Sequence, residues 1–245
     1  MKPLDSETPL RLPCPLLADG EPPRFDTMKQ VFNTIAALAF SATSALAHPH
    51  VFIDSGVTFL FDDKGQLAAV RVMWAYDEFY SLLQLEDLEL DRDGDGILTA
   101  DEEAQLAGYD TNWVKGYEGD IYLTVGDQKI ALAGPTKPGA KLENGRILSW
   151  HIRPIINRID AEVSEVTVKV YDPTFYTAYT TDLGITTSGR AGCETYRQAA
   201  DLNKAYDLVE ELLYGEGSDG VDEDNYPAVG EHFADTITLT CAPSS

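Results

Sequence analysis

Alternating apolar and polar positions dominate the chain between residues 51 and 171. Val51, Ile53, Val57, Phe59 and Phe61 share one face of an extended segment, the period of two expected of a half-buried strand. Asp62-Asp63-Lys64-Gly65 marks a turn, and Leu67–Trp74 returns as the second strand of a hairpin. The spacing then becomes helical. Asp77 can cap a helix bearing Phe79, Leu82, Leu83 and Leu85. Thr99-Ala100-Asp101-Glu102 is a capping box opening a second helix that carries Leu106, Trp113, Val114 and Tyr117. Strands are expected again at about 120–125, 128–133, 146–152 and 163–171, with Gly126-Asp127 as a hairpin turn and Pro135–Gly145 as a longer loop. An extended piece follows over Thr174–Thr181. A helix is expected over Tyr196–Leu213 from the spacing of Ala199, Leu202, Ala205, Leu208 and Leu212. An acidic stretch, Gly215–Tyr226, and a last strand, Thr236–Cys241, complete the chain. The fold class is α+β: mainly antiparallel β, sandwich-like, with a helix–loop–helix inserted at about 77–118 and a C-terminal helix.

The amino-terminal part does not fit this pattern. No charged residue occurs from Gln30 to Ile53, Val31–Phe40 is a short apolar run, Lys29 precedes it, and Ala45-Leu46-Ala47 follows. That order predicts a secretory signal peptide starting at Met28 and cleaved between Ala47 and His48. The run falls short of the roughly 20 apolar residues a membrane span needs. Residues 1–47 are therefore expected to be removed, leaving a single periplasmic domain, 48–245, that does not span the membrane. Cys193 and Cys241 remain in it, and two cysteines in an exported chain most simply form one disulfide, a cysteine metal pair being the alternative.

Charge narrows the partners. With 18 Lys+Arg against 41 Asp+Glu the net charge is −23, so a nucleic acid has no basic face to bind. High acidity alone commonly serves only solubility. One segment does more. Asp91-Arg-Asp-Gly-Asp-Gly-Ile-Leu-Thr-Ala-Asp-Glu102 has the residues of an EF-hand calcium loop in every diagnostic place. Asp91, Asp93 and Asp95 present carboxylates at positions 1, 3 and 5, and Gly96 permits the sharp turn. Ile97 offers its carbonyl, Leu98 packs inward, Thr99 makes the contact usually bridged by water, and Glu102 can close the sphere bidentately. The alternative is a solvated acidic turn. Only one such loop is present, whereas calcium sensors pair theirs around a Met-rich groove, so a structural calcium is expected rather than a switch.

Cleavage before His48 would expose a terminus reading His48-Pro49-His50. The terminal amine, the His48 imidazole and His50 together suit zinc, nickel, cobalt or copper. Pro49 has no N–H, which blocks the square-planar mode that needs a deprotonated amide at the second residue. A three-nitrogen site remains, to be completed by His151, His232 or a carboxylate such as Asp54 or Asp77. An ordinary exposed terminus is the competing explanation.

His48-Pro-His-Val-Phe-Ile-Asp54, Val70-Arg-Val-Met-Trp74 leading into Tyr76-Asp-Glu-Phe-Tyr-Ser81, the loop 91–102, and Val170-Tyr-Asp-Pro-Thr-Phe-Tyr176 occur in that order. Together they resemble a family of uncharacterised periplasmic proteins labelled as periplasmic components of a transport system, whose members accompany permeases of the nickel/cobalt exporter type. The resemblance covers about residues 48–182. It implies transition-metal handling beside an inner-membrane metal permease and directs the ligand role to His48 and His50.

Three functions compete. The first is a periplasmic metal-binding accessory protein with calcium in the loop and a transition metal at the terminus. The second is a calcium-stabilised interaction module. The third is a copper-dependent redox enzyme. The chain lacks a nucleophile elbow, a His-Glu-x-x-His pair, a Walker loop and a dinucleotide fingerprint, so no catalytic residues are expected.

Overall fold

In the computed structural model, residues 49–162, 164–215 and 227–243 are described; the expected signal peptide, His48 and most of the acidic stretch lie outside them. The first hairpin forms as its alternation requires: β1 (Val51–Phe61) pairs antiparallel with β2 (Leu67–Tyr76) across the Asp62–Gly65 turn. Every odd residue from Val51 to Phe61 is buried. The Asp77 carboxylate accepts the Tyr80 N–H and starts α1 (Glu78–Asp87), and Thr99 with Glu102 completes the capping box of α2 (Ala100–Leu106). There follow β3 (Ile121–Val125), β4 (Gln128–Ile130), β5 (Thr136–Glu143), β6 (Arg146–Ile159), β7 (Val166–Val170), β8 (Thr177–Ser188) and β9 (Cys193–Gln198). Then come α3 (Leu202–Tyr214), a 3-10 turn (Gly230–Phe233) and β10 (Thr236–Cys241).

Two five-stranded sheets result, ordered β5-β6-β2-β1-β8 and β4-β3-β7-β10-β9. All strand pairs are antiparallel except β1 with β8. One continuous core joins Val57, Phe59, Val70 and Val72 of the first sheet to Leu123, Val168, Ile237 and Leu239 of the second. The fold is the expected α+β sandwich. At one corner the chain after β4 crosses over: Leu132 bridges Ile155, and the Ala133 N–H donates to the Pro154 carbonyl.

Three expected boundaries are corrected. Pro135–Gly145 is no loop, because Thr136–Glu143 is an edge strand joined to β6 by a two-residue Asn144-Gly145 turn with φ 53° and 76°. Pro138 obscured the alternation there, and an edge strand tolerates it. The second inserted helix stops at Leu106 instead of reaching Tyr117, since Gly108 turns the chain at φ +83°. The C-terminal helix starts at Leu202 instead of Tyr196, because residues 193–198 are drawn into pairing with β10.

Cys193 and Cys241 face each other in that β9–β10 pair and form a disulfide, with Cα atoms 3.9 Å apart. It closes a loop of sequence separation 48, worth about 4 kcal/mol if it acts by restricting the unfolded chain. The Cys193→Ser/Cys241→Ser double variant is expected to lose that amount in urea unfolding, and the reduced parent should match it.

Candidate metal site and its supporting core

Leu90 and Leu106, both buried, fasten the acidic loop to the sandwich from either end, and Leu98 packs on the same core. Between these anchors the loop tightens through its own carboxylates. Gly96 at φ +76° donates its N–H to Asp91 at 3.2 Å, and the Ile97 N–H donates to Asp95 Oδ1 at 2.8 Å. Ligand oxygens of Asp91, Asp93 and Asp95 lie within 4.8 Å of one another, the one such group of three His, Cys, Asp or Glu side chains among the described residues. Asp93, Asp95, Ile97, Thr99 and Glu102 line the same open hollow. Glu102 stands apart from that triad. Its carboxylate accepts the Thr99 N–H and hydroxyl at 2.8 Å each and the Asp91 N–H at 3.0 Å. Those bonds, led by the Thr99 backbone N–H, hold its carboxyl below the ordinary glutamate range.

The donor set is all oxygen, from carboxylates, a carbonyl and a hydroxyl, which suits a hard divalent cation and not a soft one. Three convergent carboxylates with Arg92 engaged outward to Glu89 leave a local negative charge that a cation would relieve.

The histidine terminus is described only in part. His50 extends β1 outward, its N–H donating to the Tyr176 carbonyl at 2.8 Å and its ring lying 4.8 Å from that of Tyr176. Tyr176 itself is presented by a turn in which the Asp172 carboxylate accepts the N–H groups of Thr174 and Thr177. His50 therefore meets Tyr176, just past the Tyr171-Asp-Pro-Thr174 segment. His151, Asp54 and Asp77 are not brought to this end as free ligands. His151 is fully buried, Asp54 binds Arg146 and Thr180, and Asp77 holds Tyr80 and Phe52 N–H groups. His232 sits in the 3-10 turn, and no described cluster of three metal-binding side chains includes it or His50.

The chain after α2 covers a feature that sequence reasoning missed. On β6 the inward row reads Ile147, Ser149, His151, Arg153, Ile155, so three consecutive core-facing positions are polar. Residues 107–120 lie over them. Asp110 accepts hydroxyls from Ser149 and Tyr76, and the Trp113 indole N–H donates to the Asp110 carbonyl at 2.7 Å. His151 is held between Trp74 and Trp113, ring centroids 5.0 and 5.4 Å away, with no hydrogen bond at either nitrogen. Arg153 stacks on Trp113, 4.5 Å from the ring centre. Asp120 accepts the hydroxyls of Tyr117 and Tyr179. The signal was available: an inward row that alternates correctly but is Ser, His and Arg.

From residue 33 to residue 241 the chain matches the family described as Protein of unknown function (DUF1007). The chain belongs to that family. Its match runs well past the stretch recognised by motif, taking in α3 and both disulfide cysteines. Comparison with curated proteins finds no match. Within this DUF1007 chain no described helix is long and apolar enough to cross a membrane.

Two buried groups make stability depend on pH in opposite senses. Burial and the Arg153 charge push the His151 imidazole down from 6.5 to about 4, so below pH 6.5 the unfolded chain takes up a proton the folded one refuses. That removes about 3 kcal/mol as pH falls from 6.5 to 4. Burial pushes the Asp120 carboxyl up from 3.8 to about 6, so the folded chain protonates first, and stability is lost as pH rises through 6. In urea unfolding at fixed calcium, the His151→Leu variant should lose less stability than the parent between pH 6.5 and 4. Asp120→Asn should lose more.

Proposed function

We propose that this protein is an extracytoplasmic metal-binding accessory protein that serves an inner-membrane metal permease. A structural calcium is held in the 91–102 loop and a transition metal, zinc, nickel, cobalt or copper, at a mature terminus beginning with His48. The observation that carries the reading is the convergence of Asp91, Asp93 and Asp95 inside a loop anchored to the core at both ends. These three carboxylates, the Ile97 carbonyl and Glu102 would hold the ion, with Thr99 contributing through water. Calcium there would fix the start of the segment 107–120, which closes the polar row of β6. An affinity of about 10⁻⁴–10⁻³ M suffices outside the cytoplasm. The disulfide is compatible with that compartment.

A second reading, a calcium-stabilised interaction module without a transition metal, is favoured by α1. Phe79 is 69% exposed and Leu82 62%, an apolar face with no cover among the described residues.

Calcium at about one hundred times its Kd should stabilise the protein by about 2.7 kcal/mol, which raises Tm by about 5–10 °C at this size. Titration calorimetry should give one site per chain, and the Asp91→Asn/Asp95→Asn double variant should show neither heat nor shift. Absence of both in the parent at about 10 mM calcium would overturn the calcium site.

The terminal site is tested by secreting the intact precursor and measuring intact mass and bound metal. The mature mass should begin at His48, and replacing His48 and His50 with Ala should lower zinc, nickel or copper affinity at least tenfold. A different first residue would overturn the terminal chelate. An unchanged affinity would promote the interaction module.

A further inference from the structure

Arg153 is the most deeply placed cation of the second, separate feature, a cleft of about 450 Å³ beside the 107–120 segment. Its side chain is part of the inward row of β6 and the residue is only 4% exposed. Of the five guanidinium N–H groups, Nε donates to the Ala133 carbonyl at 2.8 Å and Nη1 to the Glu118 carbonyl at 2.7 Å. Nη2 donates to nothing among the described residues, and no described carboxylate forms an ion pair with this arginine. The nearby Glu118 carboxylate is paired with Lys129, and the Asp120 carboxylate is engaged by two tyrosine hydroxyls.

Burying a guanidinium with no carboxylate in direct contact is costly: Glu118 and Asp120 act on it only across space, and the two backbone carbonyls neutralise none of its charge. The surroundings are nonetheless shaped to keep it. Gly119, at φ +77°, leaves the space in which Arg153 lies on Trp113: a Cβ there would come within 2.3 Å of both Arg153 Nη1 and the indole. Apart from the Glu118–Lys129 pair, the cleft walls are largely apolar and aromatic, with Trp113, Ile121, Tyr122, Ile130 and Leu132.

We propose that this cleft binds a carboxylate carried on an apolar or aromatic body, with Arg153 as the carboxylate receptor and the walls around Trp113 and Ile130 as the seat of the body. A planar monoanion matches the unused guanidinium edge. Phosphate fits worse, because Lys129 is already paired, Glu118 lies at the cleft, and the chain carries a net charge of −23. The carboxylate can belong to a free organic acid or to a peptide C-terminus, chemistries that are identical at Arg153. The site stands on different residues from the metal-binding reading and does not require a metal at His48 or His50.

The test is titration of the full mature protein, in saturating calcium, with benzoate, hexanoate, inorganic phosphate, a tripeptide ending in Phe with a free carboxylate, and the same tripeptide as its amide. Quenching or enhancement of tryptophan fluorescence reads Trp113, and heat reads binding directly. The expected result is saturable binding of at least one carboxylate with Kd of about 1 mM or tighter, at least tenfold weaker binding of the amide and of phosphate, and a tenfold loss in Arg153→Gln. Binding of benzoate or hexanoate assigns a free acid; binding of the tripeptide alone assigns a C-terminus. Should Arg153→Gln not fold, Gly134→Leu decides the matter. Gly134 lines the cleft and a Cβ there meets nothing within 4 Å, so the added side chain occupies free space without removing a contact. It should weaken carboxylate binding at least tenfold while circular dichroism stays unchanged. No saturable binding of any carboxylate, equal binding of the amide or phosphate, or full affinity in the folded variants would overturn the proposal.

Discussion

A sandwich in which β6, next to the edge of its sheet, turns Ser149, His151 and Arg153 toward the core must cover or pair them, and the course of the chain after α2 follows from that need. Neither sheet supplies enough polar groups. The 107–120 segment supplies them instead: the Asp110 carboxylate for Ser149, the Trp113 ring for His151 and Arg153, and the Glu118 carbonyl for the guanidinium. This segment has little regular structure to hold it. Its register depends on its ends, α2 on one side and β3 on the other.

The acidic loop is thus at a mechanically sensible place. Leu98 and Leu106 tie the loop and α2 to the core, and α2 is only seven residues long, too short to be stable on propensity alone. Its capping box uses Glu102, the residue that an EF-hand loop uses to close around its cation. With a cation in the loop, cap and ligand would be the same carboxylate, and the state of the loop would bear directly on the start of α2 and, seven residues on, on the cover of the polar row. Charge repulsion among Asp91, Asp93 and Asp95 works against that order when no cation is present.

The parts legible in the sequence were those whose information is local. Alternation from Val51 to Phe61, the Asp77 and Thr99 caps and the strand Thr236–Cys241 each depend on neighbours a few residues away, and each is found where its pattern points. Misread boundaries came from competition. Pro135–Gly145 read as a loop because Pro138 masked the alternation of the strand that ends in the Asn144-Gly145 turn. Residues 196–198 have helical spacing, yet Thr238 and the Cys193–Cys241 bond draw them into a sheet. The Arg153 cleft was harder still. It is built from β6, the β4–β5 crossover and the segment after α2, so no short motif contains it, and only the odd chemistry of an inward row hinted at it.

The carboxyl-terminal third has a physical role beside that cleft, where Pro173 and Glu231 share a neighbouring hollow with Glu118, Tyr122 and Lys129. Phe175 follows the Asp172-Pro173-Thr174 turn and stacks on Phe233, ring centroids 3.7 Å apart, while Ala205 and Val209 of α3 complete a small second core around them. Gly230 fits against this turn so closely that a Cβ would lie 1.7 Å from the Asp172 carbonyl. The next residue after Phe175 is Tyr176, whose carbonyl receives the His50 N–H. The helix and the 3-10 turn therefore pack against the turn that leads into Tyr176 and the start of β1. The family match, which continues to residue 241, takes in this packing along with β1.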